Sequence, residues 1–201
     1  MSSFKFASME LEYLKHSYNR TSENMRTVEV PIINEYLRVG SRWVLEIGNV
    51  LSHYQKTSWH ILDKFEKASG IMHEDLMTFE PLMLYDLIVS ISTIEHIGFG
   101  KYAKDSISWH PFFIIKKIRS LLATDGMAFI TIPIGYNPSI DNYLLEGHIG
   151  SNIVGCMHRI SDDNEWEECS LSQAFLTDKH RPRGYKWSTG MVLLRINNGI
   201  Q

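Results

Sequence analysis

The sequence is poor in cysteine, which limits the kinds of site that it can build. Only Cys156 and Cys169 occur among 201 residues, and the chain has neither a CxxC pair nor an HExxH motif. Two isolated thiols support neither a disulfide framework nor a zinc site. We therefore expect no bound metal and a cytoplasmic location.

An excess of one charge and long apolar runs are also missing. The 20 Lys and Arg residues nearly balance the 23 Asp and Glu residues, which gives a formal net charge of −3. Such a chain has no global positive field for nucleic acid or an anionic membrane. Its apolar runs fall short of the about 20 residues that cross a bilayer, and its first residues lack the apolar core of a signal peptide. We expect a small molecule or a neutral polymer as partner, with no nucleic acid and no membrane. The oligomeric state stays open.

The overall composition is that of one soluble globular domain. Apolar residues make up 44% of the chain and charged residues 21%, and the length allows a sizeable core. Repeats, low-complexity tracts and linkers are not evident. We predict a single domain over residues 1–201, with an N-terminal helical extension at 1–40 and a core at 41–201.

The extension contains two patterns that are typical of helices. Leu11, Leu14 and Tyr18 recur at intervals of three or four residues, which predicts an amphipathic helix. A second helix is predicted at 30–37, with Pro31 in its first turn. The extension is expected to serve either as a lid over the site or as cover for a sheet edge.

Beyond the extension, apolar runs alternate with helical patterns. The predicted strands lie at 43–47, 59–62, 86–90, 121–133 and 191–196, and the predicted helices lie at 108–122 and 139–146. Ser108 is the expected N-cap of the longer helix, and Pro182 and Gly184 indicate a loop. Because a helix separates two apolar strands, the connection is a parallel βαβ crossover. These elements predict a doubly wound α/β domain with a mostly parallel sheet.

The most informative motif is an apolar run that ends in Glu46, Ile47 and Gly48. Such a run suits a buried strand, and glycine permits a backbone conformation or a close approach that a Cβ would block. The motif therefore indicates a strand that leads into a ligand-binding turn. Further signals follow along the chain in this order: Asp63, Asp75, Tyr85 to Val89, Glu95-His96-Ile97 and Asp125-Gly126.

This ordered set resembles the class I S-adenosylmethionine-dependent methyltransferases over residues 40–135. The family has Glu-x-Gly after its first strand, an acid after its second and Glu-His after its fourth. The resemblance implies a Rossmann-like sandwich whose mostly parallel sheet has seven strands, the last antiparallel. It also implies S-adenosylmethionine as the cofactor and methyl transfer as the reaction.

The resemblance also implies roles for particular residues. Asp63 would accept hydrogen bonds from both ribose hydroxyls, and Asp75 would meet the adenine amino group. Glu46 would orient either the amino end of the methionine moiety or the glycine turn. The candidate cofactor-binding residues are Glu46, Gly48, Asn49, Asp63, Asp75 and Ser90.

The glycine turn departs from the family pattern. The family has Gly-x-Gly-x-Gly, whereas here Gly48 is followed by Asn49, Val50, Leu51 and Ser52. Backbone amides can still face the cofactor, and asparagine tolerates left-handed conformations. The alternative is a catalytically degenerate domain that binds a nucleoside or a partner protein. A nicotinamide-dependent dehydrogenase is a third interpretation, which the single glycine fits less well.

Methyl transfer from a sulfonium depends more on positioning than on acid–base groups. If a base takes part, His96 is the candidate, because it follows the fourth predicted strand and histidine titrates near neutrality. The alternative for His96 is a structural role in a cap or a pocket wall. His110 and His148 are expected to be surface or packing residues.

Candidate acceptor-binding residues lie in two segments. Tyr136 and Asn137 follow the fifth strand and could contact a sugar-like acceptor, although turn chemistry also explains them. Arg26, with Glu29, reaches the site if the extension folds over it; otherwise the two form a surface ion pair. The predicted acceptor is an oxygen of a small molecule, a sugar or a polysaccharide precursor.

Overall fold

The computed structural model describes residues 3–38, 40, 42–100, 110–148, 152–180 and 186–198. The strands are β1 (Ser3–Phe6), β2 (Met9–Glu12), β3 (Val44–Ile47), β4 (His60–Leu62), β5 (Ile71–Met72), β6 (Tyr85–Ile91), β7 (Leu122–Pro133), β8 (Ile153–Arg159), β9 (Trp166–Cys169) and β10 (Gly190–Asn197). The α-helices are α1 (Arg26–Leu37), α2 (Pro111–Ser120), α3 (Pro138–Leu145) and α4 (Leu171–Lys179). Short 3₁₀ turns cover Tyr18–Glu23, Leu51–His53 and Ile94–His96.

The main sheet has eight strands within these ranges, in the order β5-β4-β3-β6-β7-β10-β8-β9. The pairs from β5 to β7 are parallel, whereas β10 is antiparallel to both β7 and β8, and β9 is antiparallel to β8. The predicted mostly parallel, doubly wound sheet is confirmed. It has one strand more than predicted, because Trp166–Cys169 adds an edge strand. The winding reverses between β3 and β6, so a crevice opens at their carboxyl ends.

Apolar layers cover both faces of the sheet. On one face, α2, α3 and α4 contribute Ile114, Ile118, Ile140 and Ala174 to a core shared with Leu45, Ile88, Ile130 and Val192. On the other face, the β1–β2 hairpin and α1 contribute Phe4, Phe6, Val28 and Ile32 to a core shared with Leu87, Val89, Met157 and Leu193. The N-terminal extension therefore packs on a face of the sheet.

The prediction of a helix around Leu11, Leu14 and Tyr18 is wrong. A two-stranded hairpin occupies residues 3–12, because Phe4 and Phe6 are buried at a spacing of two. Ala7 and Ser8 connect its strands with φ angles of 46° and 67°, the backbone of a tight hairpin turn. The second predicted helix exists as α1 but begins at Arg26, so Pro31 lies inside the helix rather than in its first turn.

The other predicted elements are placed well. The predicted ends of the five strands and of the helix at 139–146 agree with the structure to within one residue. In the described ranges, α2 begins at Pro111, and His110 caps it by accepting a hydrogen bond from the Phe112 amide. The predicted cap Ser108, like Pro182 and Gly184, lies outside the described residues. Among the described helices, none has both the length and the apolar character needed to cross a bilayer.

Candidate functional site

A cavity of about 440 Å³ lies at the carboxyl ends of β3, β4 and β6. Its volume is in the range of small-molecule and cofactor sites. Five predicted site residues line it, namely Gly48, Asn49, Asp63, Asp75 and His96. The switch point of the sheet thus brings together residues that are far apart in the sequence.

The turn after β3 needs only one glycine. Gly48 has φ of +85°, and a Cβ there would lie 2.6 Å from Thr93 Cγ2. At the second and third glycine positions of the family pattern, Val50 has an ordinary φ of −112°, and Ser52 is not left-handed. The substitutions that depart from the family pattern therefore fall where the backbone does not require glycine.

Glu46 lies beneath this turn and shapes it. Its Oε1 accepts hydrogen bonds from the amides of Val50 and Leu51 at 2.8 and 2.7 Å, and its Oε2 accepts one from Trp59 Nε1 at 3.0 Å. Burial raises the pKa of Glu46, although these hydrogen bonds oppose the shift. The carboxylate is fully buried and does not line the cavity, so the contacts of Glu46 are with the glycine turn and with Trp59.

Asp63 connects the end of β4 to the glycine turn. Its Oδ1 accepts hydrogen bonds from the amides of Phe65 and Glu66, both at 2.8 Å. Its Oδ2 accepts a hydrogen bond from the amide of Asn49 at 3.1 Å. A carboxylate has about four lone-pair sites. Asp63 therefore keeps capacity for a ligand hydroxyl while it fixes the loop.

Asp75 lies on the same wall of the cavity. Its Oδ1 accepts the Met77 amide at 2.9 Å, and its Oδ2 pairs with Lys64 Nζ at 2.9 Å. Lys64 also lines the cavity. A ligand amino group at Asp75 must therefore share the carboxylate with this lysine.

Asn49 belongs to a polar cluster whose other members, Glu66, His53 and Tyr18, were not predicted from the sequence as site residues. Asn49 Nδ2 donates to Glu66 Oε1 at 2.8 Å, and His53 Nε2 lies 3.5 Å from the same oxygen. The Tyr18 ring stacks on His53 at 4.2 Å. Glu66 follows Asp63 by three residues in a polar stretch, which offered only a weak signal, and the contact with Tyr18 depends on the tertiary fold.

His96 belongs to the cavity wall that follows β6, and Glu95 lies next to it in the protein interior. His96 Nε2 lies 3.6 Å from Glu95 Oε1, and the His96 ring meets Tyr136 edge-on at 4.5 Å. Glu95 is fully buried, and its Oε2 has no hydrogen-bond partner among the described residues. Burial, with a smaller contribution from Glu29, raises the pKa of Glu95 to about 8. A group that gains or loses a proton near neutrality therefore lies beside His96.

The two predicted acceptor residues after β7 differ in their environment. Tyr136 is 41% exposed next to His96, so its ring is accessible. Asn137 is buried; it caps α3 by accepting the Ser139 amide at 3.0 Å and donates to the Glu95 carbonyl at 2.8 Å. Turn and cap chemistry therefore account for Asn137.

The interpretation of Arg26 and Glu29 as a surface pair is wrong. Their side chains are 14% and 0% exposed, and Arg26 Nη1 lies 2.6 Å from Glu29 Oε2. Glu29 Oε1 accepts hydrogen bonds from the hydroxyls of Ser92 and Thr131. Since Ser92 lines the cavity, α1 is linked directly to the wall of the site.

Three other residues have structural positions. Ser90 is fully buried and donates to the Ile47 carbonyl at 3.0 Å, so it joins β6 to β3 and does not line the cavity. His110 caps α2. His148 is exposed and pairs with Glu146 at 3.1 Å.

No protein-family model and no curated protein matches the sequence. Among solved structures, the N-methyltransferase NodS from Bradyrhizobium japonicum, in complex with S-adenosylhomocysteine, aligns with a TM-score of 0.53 and 13% identity over 92% of this chain and 94% of that chain. A TehB-like S-adenosylmethionine-dependent methyltransferase from Corynebacterium glutamicum has a TM-score of 0.45 and 14% identity over 85% and 87% of the two chains. A methyltransferase from Thermotoga maritima has a TM-score of 0.45 and 12% identity over 82% and 85%. The alignment with NodS establishes a shared fold.

Proposed function

From the class I methyltransferase fold of this chain, we propose that it binds S-adenosylmethionine in the cavity and transfers the methyl group to an acceptor oxygen. The acceptor is a small molecule, a sugar or a polysaccharide precursor. The observation that carries the proposal is the convergence of Gly48, Asp63, Asp75 and His96 on one cavity at the switch point. Of these residues, Gly48, Asp63 and Asp75 are at positions that the family pattern assigns to its cofactor, and His96 is the candidate base.

The residues around the cavity suit a nucleoside that carries a positive charge. Asp75 and Leu76 would hold the adenine, Asp63 the ribose, and the turn at Gly48 the methionine moiety. The carboxylates of Asp63, Glu66, Glu74 and Asp75 line the cavity together with one lysine, Lys64. This balance favours a cationic ligand. When bound, S-adenosylmethionine supplies an electrophilic methyl group on a sulfonium.

The acceptor is proposed to bind at the His96 wall. Positioning of the two reactants supplies roughly 7–11 kcal/mol of the barrier. A base adds about 10²- to 10⁴-fold. His96 would take the proton of the acceptor hydroxyl, with Glu95 behind it, and the accessible ring of Tyr136 would pack against a sugar.

Calorimetric titration with S-adenosylmethionine and S-adenosylhomocysteine tests the proposal. Losing a charged hydrogen-bond partner costs about 1.5–3 kcal/mol, so Asp63→Ala should weaken binding by roughly ten- to a hundredfold. The matched control is Asp86→Ala, because Asp86 also accepts two backbone amides, those of Arg42 and Trp43, but does not line the cavity. Absence of heat with the wild type, or equal affinity in a folded Asp63→Ala variant, would refute the proposal.

A degenerate domain that binds a nucleoside or a partner protein is the second candidate. It is favoured by Val50, which lines the cavity at a position where the family pattern has glycine. Val50→Gly discriminates between the two. The main proposal expects a modest change in affinity, since Val50 needs no positive φ. A large gain would mean that the natural turn obstructs the ligand and would support the second candidate.

A further inference from the structure

We propose that Glu29 of α1 is a positioning residue: it fixes the position of Ser92 and thereby the shape of the cavity wall to which Ser92 belongs. The proposal deepens the proposed function and rests on it for its ligand measurement. It assigns to the N-terminal segment a part in building the site, in addition to its packing on the sheet.

The first support is the way in which Glu29 is buried. It is fully inaccessible to solvent, and a buried carboxylate is retained only when it is paired and hydrogen-bonded. Arg26 neutralises one oxygen, and the hydroxyls of Ser92 and Thr131 donate to the other. Packing alone would be served better by an apolar side chain at this position.

The second support is the backbone of Ser92. This residue directly follows β6 and has φ of +40°, a left-handed conformation that is uncommon for residues other than glycine. Its amide donates to the Thr131 carbonyl at 3.1 Å, and its hydroxyl donates to Glu29. Strained conformations persist where the surroundings fix them, and they cluster at functional sites.

The third support is what the Ser92 conformation determines. Ser92 and the next residue, Thr93, line the cavity, and Thr93 packs so closely on Gly48 that a Cβ there would overlap it. The glycine turn and the segment after β6 therefore face each other across a fixed gap. Glu29 holds one side of that gap from outside the cavity.

The experiment combines hydrogen–deuterium exchange with calorimetry on the full chain. Exchange at residues 92–97 is measured without ligand, and S-adenosylhomocysteine is the probe for affinity. Glu29→Ala is compared with Glu29→Gln, which keeps an oxygen that can accept from Ser92. The control is Thr27→Val, because Thr27 is also a buried α1 residue and loses one hydrogen bond, to the Leu14 carbonyl, away from the cavity.

We expect Glu29→Ala to raise exchange at residues 92–97 and to weaken S-adenosylhomocysteine binding, each by about tenfold. Glu29→Gln should show a smaller change in both. Thr27→Val should lower the melting temperature without altering either measurement. If Glu29→Ala does not fold, Ser92→Ala removes the same hydrogen bond from the other side and should give the same selective changes.

The outcomes separate this inference from the proposed function. If the wild type binds no S-adenosylhomocysteine but exchange still rises selectively in Glu29→Ala, the proposed cofactor is refuted. The inference that Glu29 positions Ser92 is then still supported. A wild type that binds the probe, with variants that change neither exchange nor affinity, overturns the inference. Equal effects of Glu29→Ala and Thr27→Val would also overturn it, because they would reduce Glu29 to a stabilising residue of α1.

Discussion

At the scale of single residues, Gly48 offers a test of how closely the cavity walls approach each other. Gly48→Ala adds a Cβ that overlaps Thr93, whereas Gly70→Ala meets no atom within 4 Å, and the φ angles are nearly equal at +85° and +83°. In both variants the left-handed backbone should lower the free energy of unfolding by roughly 1–2 kcal/mol, because alanine carries a Cβ. In Gly48→Ala, overpacking should lower it by about 1–3 kcal/mol more. Gly48→Ala should also bind S-adenosylhomocysteine more weakly. Chemical denaturation and calorimetry measure the difference, and equal losses would contradict the close approach.

Glu95 predicts a pH dependence of stability. Its pKa rises from 4.5 unfolded to about 8 folded, so the folded state binds more protons than the unfolded state between these values. The contribution of Glu95 to the free energy of unfolding is therefore fully present below pH 4.5 and is lost as the pH rises towards 8. Glu95→Gln stays neutral and removes this dependence.

Denaturation of both proteins between pH 5 and pH 9 checks this prediction. The stability of Glu95→Gln relative to the wild type should increase with pH up to about pH 8, by an amount on the order of a few kcal/mol. A difference between the two proteins that stays constant over this range would show that Glu95 is not held neutral in the fold.

The residues that the sequence identified are those governed by local rules. Gly48 follows an apolar strand, and Asp63 bonds with amides two and three residues further on. The sequence named Glu29 only as a partner of Arg26, and its contacts with Ser92 and Thr131 could not be predicted, because these residues lie 63 and 102 residues away from it. Only the folded sheet brings these three side chains together.

At the scale of elements, the β1–β2 hairpin should act as part of the core. Phe6 is fully buried against the sheet, and a Cβ on Gly155 would lie 2.8 Å from its ring. Phe6→Ala should cost about 3–5 kcal/mol of unfolding free energy and leave S-adenosylhomocysteine affinity unchanged. Phe112→Ala, at a residue 48% exposed, should change stability by less than about 0.5 kcal/mol. Similar values for the two variants would show that the hairpin contributes little.

The elements also show where sequence patterns decide between helix and strand. The five predicted strands were found because strands buried on both faces have continuous apolar runs, which holds for the four parallel strands and for the antiparallel β10. The hairpin was missed because Leu11, Leu14 and Tyr18 happen to match a helical spacing, while the deciding alternation involves Phe4 and Phe6. Its turn residues, Ala7 and Ser8, carry no glycine or asparagine signal for their left-handed backbone.

At the scale of the whole molecule, the single-domain prediction and the proposed cofactor can be tested together. One domain should unfold in one cooperative transition. A ligand at 100 times its Kd adds about 2.7 kcal/mol to the free energy of unfolding. For a chain of this size, each kcal/mol shifts the melting temperature by about 2–4 °C. S-adenosylhomocysteine should therefore raise the melting temperature by about 5–10 °C while the transition stays single. Scanning calorimetry measures both, and a two-step transition would contradict the single domain.

The two edges of the main sheet have a consequence for self-association. Edge strands expose unpaired backbone groups that can template pairing with a further chain, and proteins avoid this with short or charged edges. Here β5 has two residues, and β9 carries Glu167 and Glu168 on opposite faces. Two copies that met through β9 would bring these carboxylates together, and β5 is too short to hold a register. Concentrated protein should therefore resist the strand-to-strand growth that leads to fibrils.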